Sequence, residues 1–230
     1  MTLFGNIKSI ASKRVLVNNI QSENEWLKKF RIKTFIDIGA YVGEYVDFSK
    51  NFYPKAIIYA YEPVKESFSL LKKKIGIDPN IRIFNYAIGD KNKMQKIFKS
   101  SYSPSSSILP MANLHKTSFP KSAKNTVQTV QEYTLDYLMK DINLAEDIFI
   151  KVDTQGYEDK VIDGGKTIFK KAKIIQIEVS FEELYENQVL FHDIYKRLYA
   201  LGFFFHGIKN QVRSPINGTI LQSHAYFIKP

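Results

Sequence analysis

A single α/β domain, built on a mostly parallel doubly wound sheet and closed by a C-terminal antiparallel hairpin, is predicted by three observations. Short apolar runs alternate with amphipathic segments over residues 33–87 and again over residues 135–201. The links between them are short, which suits β-α-β units within one sheet. The first apolar run ends in a turn that carries Gly39 and Gly43, the feature that opens the ligand crevice of such sheets.

Composition agrees with this fold class. The chain has 230 residues, 44% hydrophobic and 24% charged, enough for one domain with a full core. It has no cysteine, which excludes disulfides, thiolate metal sites and a cysteine nucleophile. No run approaches the ~18 apolar residues of a membrane span. Lys8, Lys13 and Arg14 interrupt the apolar residues near the start, unlike a signal peptide, so a cytoplasmic protein is expected. The net charge is +10, but the lysines are spread, as in Lys72, Lys73 and Lys74 and again in Lys170, Lys171 and Lys173. This reads as a solvated basic surface, and no nucleic-acid partner is expected.

The elements follow in order. Residues 1–30 carry a modest helical period (Leu3, Ile7 and Ile10, then Trp26, Leu27 and Phe30). They are expected to form a helical cap on a domain of residues 31–230, with peripheral membrane contact through residues 1–20 as the alternative. Residues 33–38 read as a buried strand, 44–52 as a helix stopped by Pro54, and 56–61 as a second strand. A lysine-rich helix at 64–74 and a third strand at 81–87 complete the first half. Residues 93–98 and 127–133 alternate like paired extended strands. Between them, about residues 100–126 are rich in Ser, Pro and Asn and lack a period, as a substrate-covering insertion would. The rhythm resumes with a helix at 135–139, a strand at 148–152, a helix at 157–162 ended by Gly164 and Gly165, a strand at 174–179 and a helix at 189–201. Residues 202–208 and 225–228 are the final strands, around a polar turn region at 210–218.

Three strand ends carry chemistry. At the first, Asp37-Ile38-Gly39-Ala40-Tyr41-Val42-Gly43 permits a tight turn and close backbone approach to a ligand. Its acidic rim suits a cationic sulfonium cofactor with an amino-acid tail. Tyr41 and Glu44 stand where a dinucleotide site would want glycine and a bare helix N-terminus, which disfavours a nicotinamide-dependent oxidoreductase. The second strand ends in Tyr61-Glu62-Pro63, where a carboxylate can accept from both ribose hydroxyls or cap the next helix. At the third, Asn85-Tyr86-Ala87-Ile88-Gly89-Asp90 offers a backbone edge to adenine.

These motifs, with Thr134-Leu135-Asp136, residues 151–158 (KVDTQGYE), Gly164-Gly165 and residues 176–180 (QIEVS), resemble the FkbM methyltransferases from about Thr34 onward. The resemblance implies a Rossmann-like class I methyltransferase fold and S-adenosylmethionine as cofactor. It also implies methylation of a hydroxyl, commonly on a sugar, glycan precursor or small metabolite. The cofactor contacts expected are Asp37, Gly39, Ala40, Tyr41, Gly43, Glu44, Glu62, Pro63, Ala87, Ile88 and Asp153. Gln155 departs from the family, which often has glutamate there.

Methyl transfer to oxygen asks for positioning and for removal of a proton. Asp153, at the end of the fourth strand, is the first candidate for that contact, with Glu158 and Glu178 as residues that could orient substrate. Glu158 equally suits a helix N-terminus for its charge alone. His115 lies in the insertion, from which it could enter the site as a base; His192, His206 and His224 read as structural. Ser105, Ser106 and Ser107 could bind substrate or simply form loop. Asp153 and Glu178 could alternatively hold Mg²⁺, but no third ligand is identifiable from sequence. An N-methyltransferase is disfavoured, since its fourth strand usually ends in Asn/Asp-Pro-Pro-aromatic and this one reads Asp153-Thr154-Gln155-Gly156. A non-catalytic nucleotide- or RNA-binding module is the remaining alternative.

Overall fold

The computed structural model describes residues 24–230, so the expected helix and membrane contact within residues 1–20 lie outside the described residues. The chain divides into an N-terminal unit ending at Arg31 and a main unit, Ile32–Pro230. In the first, Glu25–Lys29 forms one 3₁₀ turn with the Trp26 and Phe30 rings edge to face.

The main unit opens with β1 (Thr34–Ile38), α1 (Glu44–Phe52), β2 (Ile57–Tyr61), α2 (Lys65–Ile75) and β3 (Ile81–Phe84). The second half contributes α4 (Leu135–Met139), β7 (Ile148–Val152), α5 (Glu158–Gly164), α6 (Lys166–Lys171), β8 (Ala172–Ser180), α7 (Phe191–Ala200), β9 (Phe204–Arg213) and β10 (Ile220–Ile228). Seven strands form one sheet in the order β3-β2-β1-β7-β8-β10-β9, parallel except where β10 pairs with β8 and β9. This is the predicted doubly wound sheet with its antiparallel close. No described helix is long and apolar enough to cross a membrane.

Every residue of β1 and of β7 is buried, because helices cover both faces of the sheet. On one face Ile36, Ile38, Ile150, Val152, Ile175 and Ile177 join Val161, Phe169, Ile194 and Leu198 from the helices in one core. On the other, Phe35 and Phe149 pack 4.8 Å apart, and Tyr53, just after α1, reaches Phe149.

The structure departs from expectation in four places, one being that the final strands run on to Arg213 and begin again at Ile220, taking in part of the expected turn region. The third strand stops at Phe84 instead of running to Ala87. Asn85 Nδ2 donates to the carbonyls of Glu62 and Pro63 at 2.8 and 3.0 Å, which draws the chain off the sheet. Residues Ala87–Ile88 (β4) then pair with β6 (Asn125–Tyr133), which also pairs antiparallel with β5 (Lys93–Ser100) in a second, three-stranded sheet. The insertion is also more ordered than its composition suggests: it holds a six-residue helix, α3 (Asn113–Ser118), and two 3₁₀ turns, each too short to leave a readable period. Finally, Gly164 ends α5 but α6 begins almost at once. A Cβ on Gly164 would stand 1.8 Å from Gly89 O, so helix and turn touch backbone to backbone.

Asp136 caps α6 from α4, accepting from Thr167 N and Ile168 N at 2.9 and 3.0 Å. The Thr-Leu-Asp motif therefore serves the fold. Asp136→Ala is expected to cost about 1–2 kcal/mol in chemical denaturation while leaving S-adenosylhomocysteine affinity unchanged. An unaltered denaturation midpoint would show that the cap contributes nothing.

Candidate active site

Strand order reverses between β1 and β7, and open α/β sheets bind ligands in the crevice at the carboxyl ends beside such a reversal. The turn after β1 forms its floor. Gly39, Tyr41 and Gly43 have φ of 79°, 49° and 87°, so every second residue is left-handed. Gly39 N and Ala40 N both donate to Tyr61 O, at 3.0 and 2.9 Å. A Cβ on Gly39 would lie 1.9 Å from Asp153 O, so only glycine lets the ends of β1 and β7 meet.

Glu62 is buried at the end of β2. Its two oxygens accept from Tyr41 N and Val64 N, each at 2.8 Å, so one carboxylate both holds the turn and starts α2. Glu62 thus holds the backbone on both sides of the end of β2. Burial pushes its carboxyl up to about 7, against the pull of these two N–H groups. Pro63 is half-buried, Glu44 is exposed in the first turn of α1, and Ala87 and Ile88 are buried in the cores behind the crevice.

Alternate residues of a strand share one face. On the face under α1, Asp37, Lys151 and Gln176 align in register across β1, β7 and β8. One step further toward the carboxyl ends come Asp153, then Glu178, then His224 opposite Glu178 on β10. Lys151 Nζ stands 3.1 Å from Asp37 Oδ1 and 3.8 Å from Asp153 Oδ2, donates to Gly39 O at 2.7 Å, and lies over the Tyr45 ring. Burial works against its charge, but Asp37 and Asp153 outweigh burial and hold it above the ordinary lysine range. Burial raises the Asp37 carboxyl, and Lys151 opposes this. Tyr45 covers the row from α1 and hydrogen-bonds Gln176.

The three catalytic carboxylates expected from sequence are brought together. Burial disfavours the Asp153 charge, but Lys151, His224 and Gln155 more than offset it, so its carboxyl titrates well below the usual range. Glu158 is buried at the start of α5, in the helix's first turn, where it accepts from Thr154 N and Oγ1 at 2.9 and 3.0 Å. Burial lifts it to about 7, and burial together with the charges of Asp153 and Glu158 raises Glu178 as well. Gln155, in the left-handed region at φ 57°, bridges them: Nε2 donates to Asp153 Oδ1 and Glu178 Oε2, both at 2.8 Å. An amide can donate to two carboxylates at once, where a glutamate would repel both. That is the physical sense of the departure at this position.

The insertion is fastened over this cluster. Ser107 Oγ donates to Gln155 O at 2.6 Å, Tyr185 OH contacts both Ser105 O and Gln155 Oε1, and Met111 bridges to Tyr185. Ser106 bonds within its own turn, to Ser103 O. The serines thus serve to dock the segment. His115 is buried between the Phe119 and Tyr185 rings, and burial lowers its pKa to about 4. It meets the cluster only through Tyr185, which corrects the expectation that it enters the site as a base.

Sequence reading missed Lys151, Gln222 and His224. Lys151 left a signal, as the single charge in the apolar run IFIKV, matching Asp37 in TFIDI. His224 and Gln222, which donates to Glu178 Oε1 at 2.7 Å, left none, because an antiparallel strand from the chain end delivers them.

Residues 37–205 match the methyltransferase FkbM domain. The chain is 28% identical over 161 residues, 67% of its length, to the 2-O-methyltransferase NoeI of Sinorhizobium fredii (strain NBRC 101917 / NGR234); the match spans 66% of that protein. Among solved structures, the precorrin-6y C5,15-methyltransferase of Geobacter metallireducens GS-15 matches with a TM-score of 0.51 at 11% identity, over 92% of this chain and 88% of that one. At such identity the likeness speaks for the fold alone.

Proposed function

The chain belongs to the FkbM methyltransferase family, and we propose that it transfers the methyl group of S-adenosylmethionine to a hydroxyl of a sugar, glycan precursor or small metabolite. The observation that carries the reading is the carboxylate cluster, Asp153, Glu158 and Glu178, at the carboxyl ends of β7 and β8 beside the glycine turn. The relative that is a 2-O-methyltransferase supports oxygen as the acceptor atom, as does a fourth-strand end without the amine-type motif.

The residues present fit the cofactor. The turn has room only for glycine at residue 39, the Asp37 oxygens have no hydrogen bond beyond the Lys151 ion pair, and Glu62 offers a carboxylate at the second strand end. On this reading the turn residues and Asp37 hold the amino-acid end, Glu62 the ribose, and the edge near Ala87 and Ile88 the adenine. When bound, S-adenosylmethionine supplies an electrophilic methyl: the acceptor oxygen bonds to carbon, the C–S bond breaks with its electron pair going to sulfur, and the O–H proton is lost. Asp153, kept ionised by Lys151, hydrogen-bonds and orients the hydroxyl, while Glu158, poised near neutrality, is the better proton acceptor. Labelled cofactor with a panel of nucleotide sugars, lipid-linked glycans and small phenols tests this reading. Label should appear in an alkali-stable ether on a sugar; transfer only to amines would overturn it.

Glu62 makes cofactor binding depend on pH. A carboxylate serves the ribose hydroxyls better than the neutral acid, so S-adenosylhomocysteine affinity should fall as pH drops through about 7. The loss should approach about tenfold per pH unit. Stability of the free protein runs the other way. Glu62 and Glu158 hold protons in the fold that the unfolded chain has released above about 4.5. Their contribution is therefore full below that pH and lost as pH rises through about 7. Calorimetric titration with S-adenosylhomocysteine across this window should show the affinity slope in the wild type and a much shallower one in Glu62→Gln. A flat wild-type profile would remove Glu62 from the ribose site.

A further inference from the structure

Asp153, Glu178 and His224 come from three neighbouring strands and present one donor atom each, all within 4.8 Å of one another. We propose that they bind a divalent cation beside the acceptor hydroxyl, a refinement that rests on the methyltransferase reading of the same crevice.

Three features carry it. The first is the donor set. One imidazole and two carboxylates suit a first-row divalent ion and leave coordination positions open for substrate. The second is His224 itself. Its Nε2 is 3.5 Å from Asp153 Oδ2, beyond normal hydrogen-bond length, and both ring nitrogens are shielded from solvent with no hydrogen-bond partner. Buried imidazole nitrogens are seldom left so, and 3.5 Å is close to the donor–donor edge of about 3.0–3.4 Å expected around an ion held at about 2.1 Å. The third is the shell behind the donors. Gln155 ties down Asp153 Oδ1 and Glu178 Oε2, and Gln222 ties down Glu178 Oε1. Outer-shell amides of this kind fix carboxylates in metal sites, and they leave Asp153 Oδ2 turned toward His224.

The charge balance favours the same occupant. Asp153, Glu158 and Glu178 meet there, and Lys151 is shared between Asp153 and Asp37 at 3.8 and 3.1 Å. A bound cation acidifies a coordinated hydroxyl. The O–H proton passes to Glu158 or water, the oxygen attacks the methyl carbon, and the C–S electron pair returns to sulfur. The sequence alone offers two ligands, Asp153 and Glu178, and His224 supplies the third.

The test is a titration of EDTA-treated, full-length protein with Mn²⁺, following loss of the free-ion paramagnetic signal, with S-adenosylhomocysteine binding measured in parallel. One Mn²⁺ per chain is expected, weakened at least about tenfold in both Glu178→Gln and His224→Gln. Retained S-adenosylhomocysteine binding in these variants shows that they are folded. Glu178→Gln preserves side-chain volume and stands alone if the histidine variant does not fold. Absence of Mn²⁺ binding at millimolar concentration, or binding unchanged in the folded variants, overturns the site. Failure of the methyltransferase reading would instead show as no S-adenosylhomocysteine binding by the wild type.

Discussion

Gly39→Ala is expected to cost about 3–5 kcal/mol of stability and to remove measurable S-adenosylhomocysteine binding. The added Cβ meets a backbone carbonyl, Asp153 O, at 1.9 Å, and no side-chain rotation can relieve a backbone contact. Residue 39 also sits at φ 79°, where a side chain adds roughly 1–2 kcal/mol of local strain. To fit, β1 and β7 must part. That breaks the hydrogen bond from Asp153 N to Ile38 O, displaces Gly39 O from Lys151 and separates the floor of the crevice from its catalytic side. Denaturant unfolding of wild type and variant measures the first effect, and calorimetry with S-adenosylhomocysteine the second. A loss under about 1 kcal/mol with binding intact would mean that the turn relaxes freely and that its geometry does not define the site.

Asp153→Asn is expected to lower turnover by about 10²–10⁴-fold while S-adenosylhomocysteine affinity changes less than about threefold. The substitution keeps shape and one oxygen but removes the charge that Lys151 and His224 favour. Lys151 keeps Asp37 as partner at 3.1 Å, so no buried ammonium is stranded and the fold should hold. The effect should therefore fall on kcat. Rates from single-turnover experiments with saturating cofactor separate it from binding. A variant that turns over like the wild type would remove Asp153 from the chemistry and shift attention to Glu158.

Much of this molecule was legible because its signals are local. The runs TFIDI, IIYAY and IFIKV are apolar enough to announce buried strands, and each leads into the crevice: the turn after Ile38, Glu62, Asp153. Gly39 and Gly43 both sit at positive φ, as a turn that closes directly onto a ligand requires. The paired alternation at 93–98 and 127–133 became an antiparallel pair, in register from Lys93↔Glu132 to Ser100↔Asn125. What failed locally failed for short elements. Helix α3 is too short to show a period, and the end of the third strand is decided by the two hydrogen bonds of Asn85.

By itself, then, the sequence determined the sheet, the glycine turn and the three strand-end carboxylates, because hydrophobic period and turn chemistry act over a few neighbouring residues. Only the tertiary structure decided what those groups do to one another. Lys151 answers Asp37 from a strand 114 positions away in the chain (151 − 37). Gln155 joins two carboxylates, and His224 arrives on an antiparallel strand to stand beside Asp153 and Glu178. Charge coupling acts through a few ångströms of low-dielectric interior, and chain order carries no record of which side chains the fold brings within that distance.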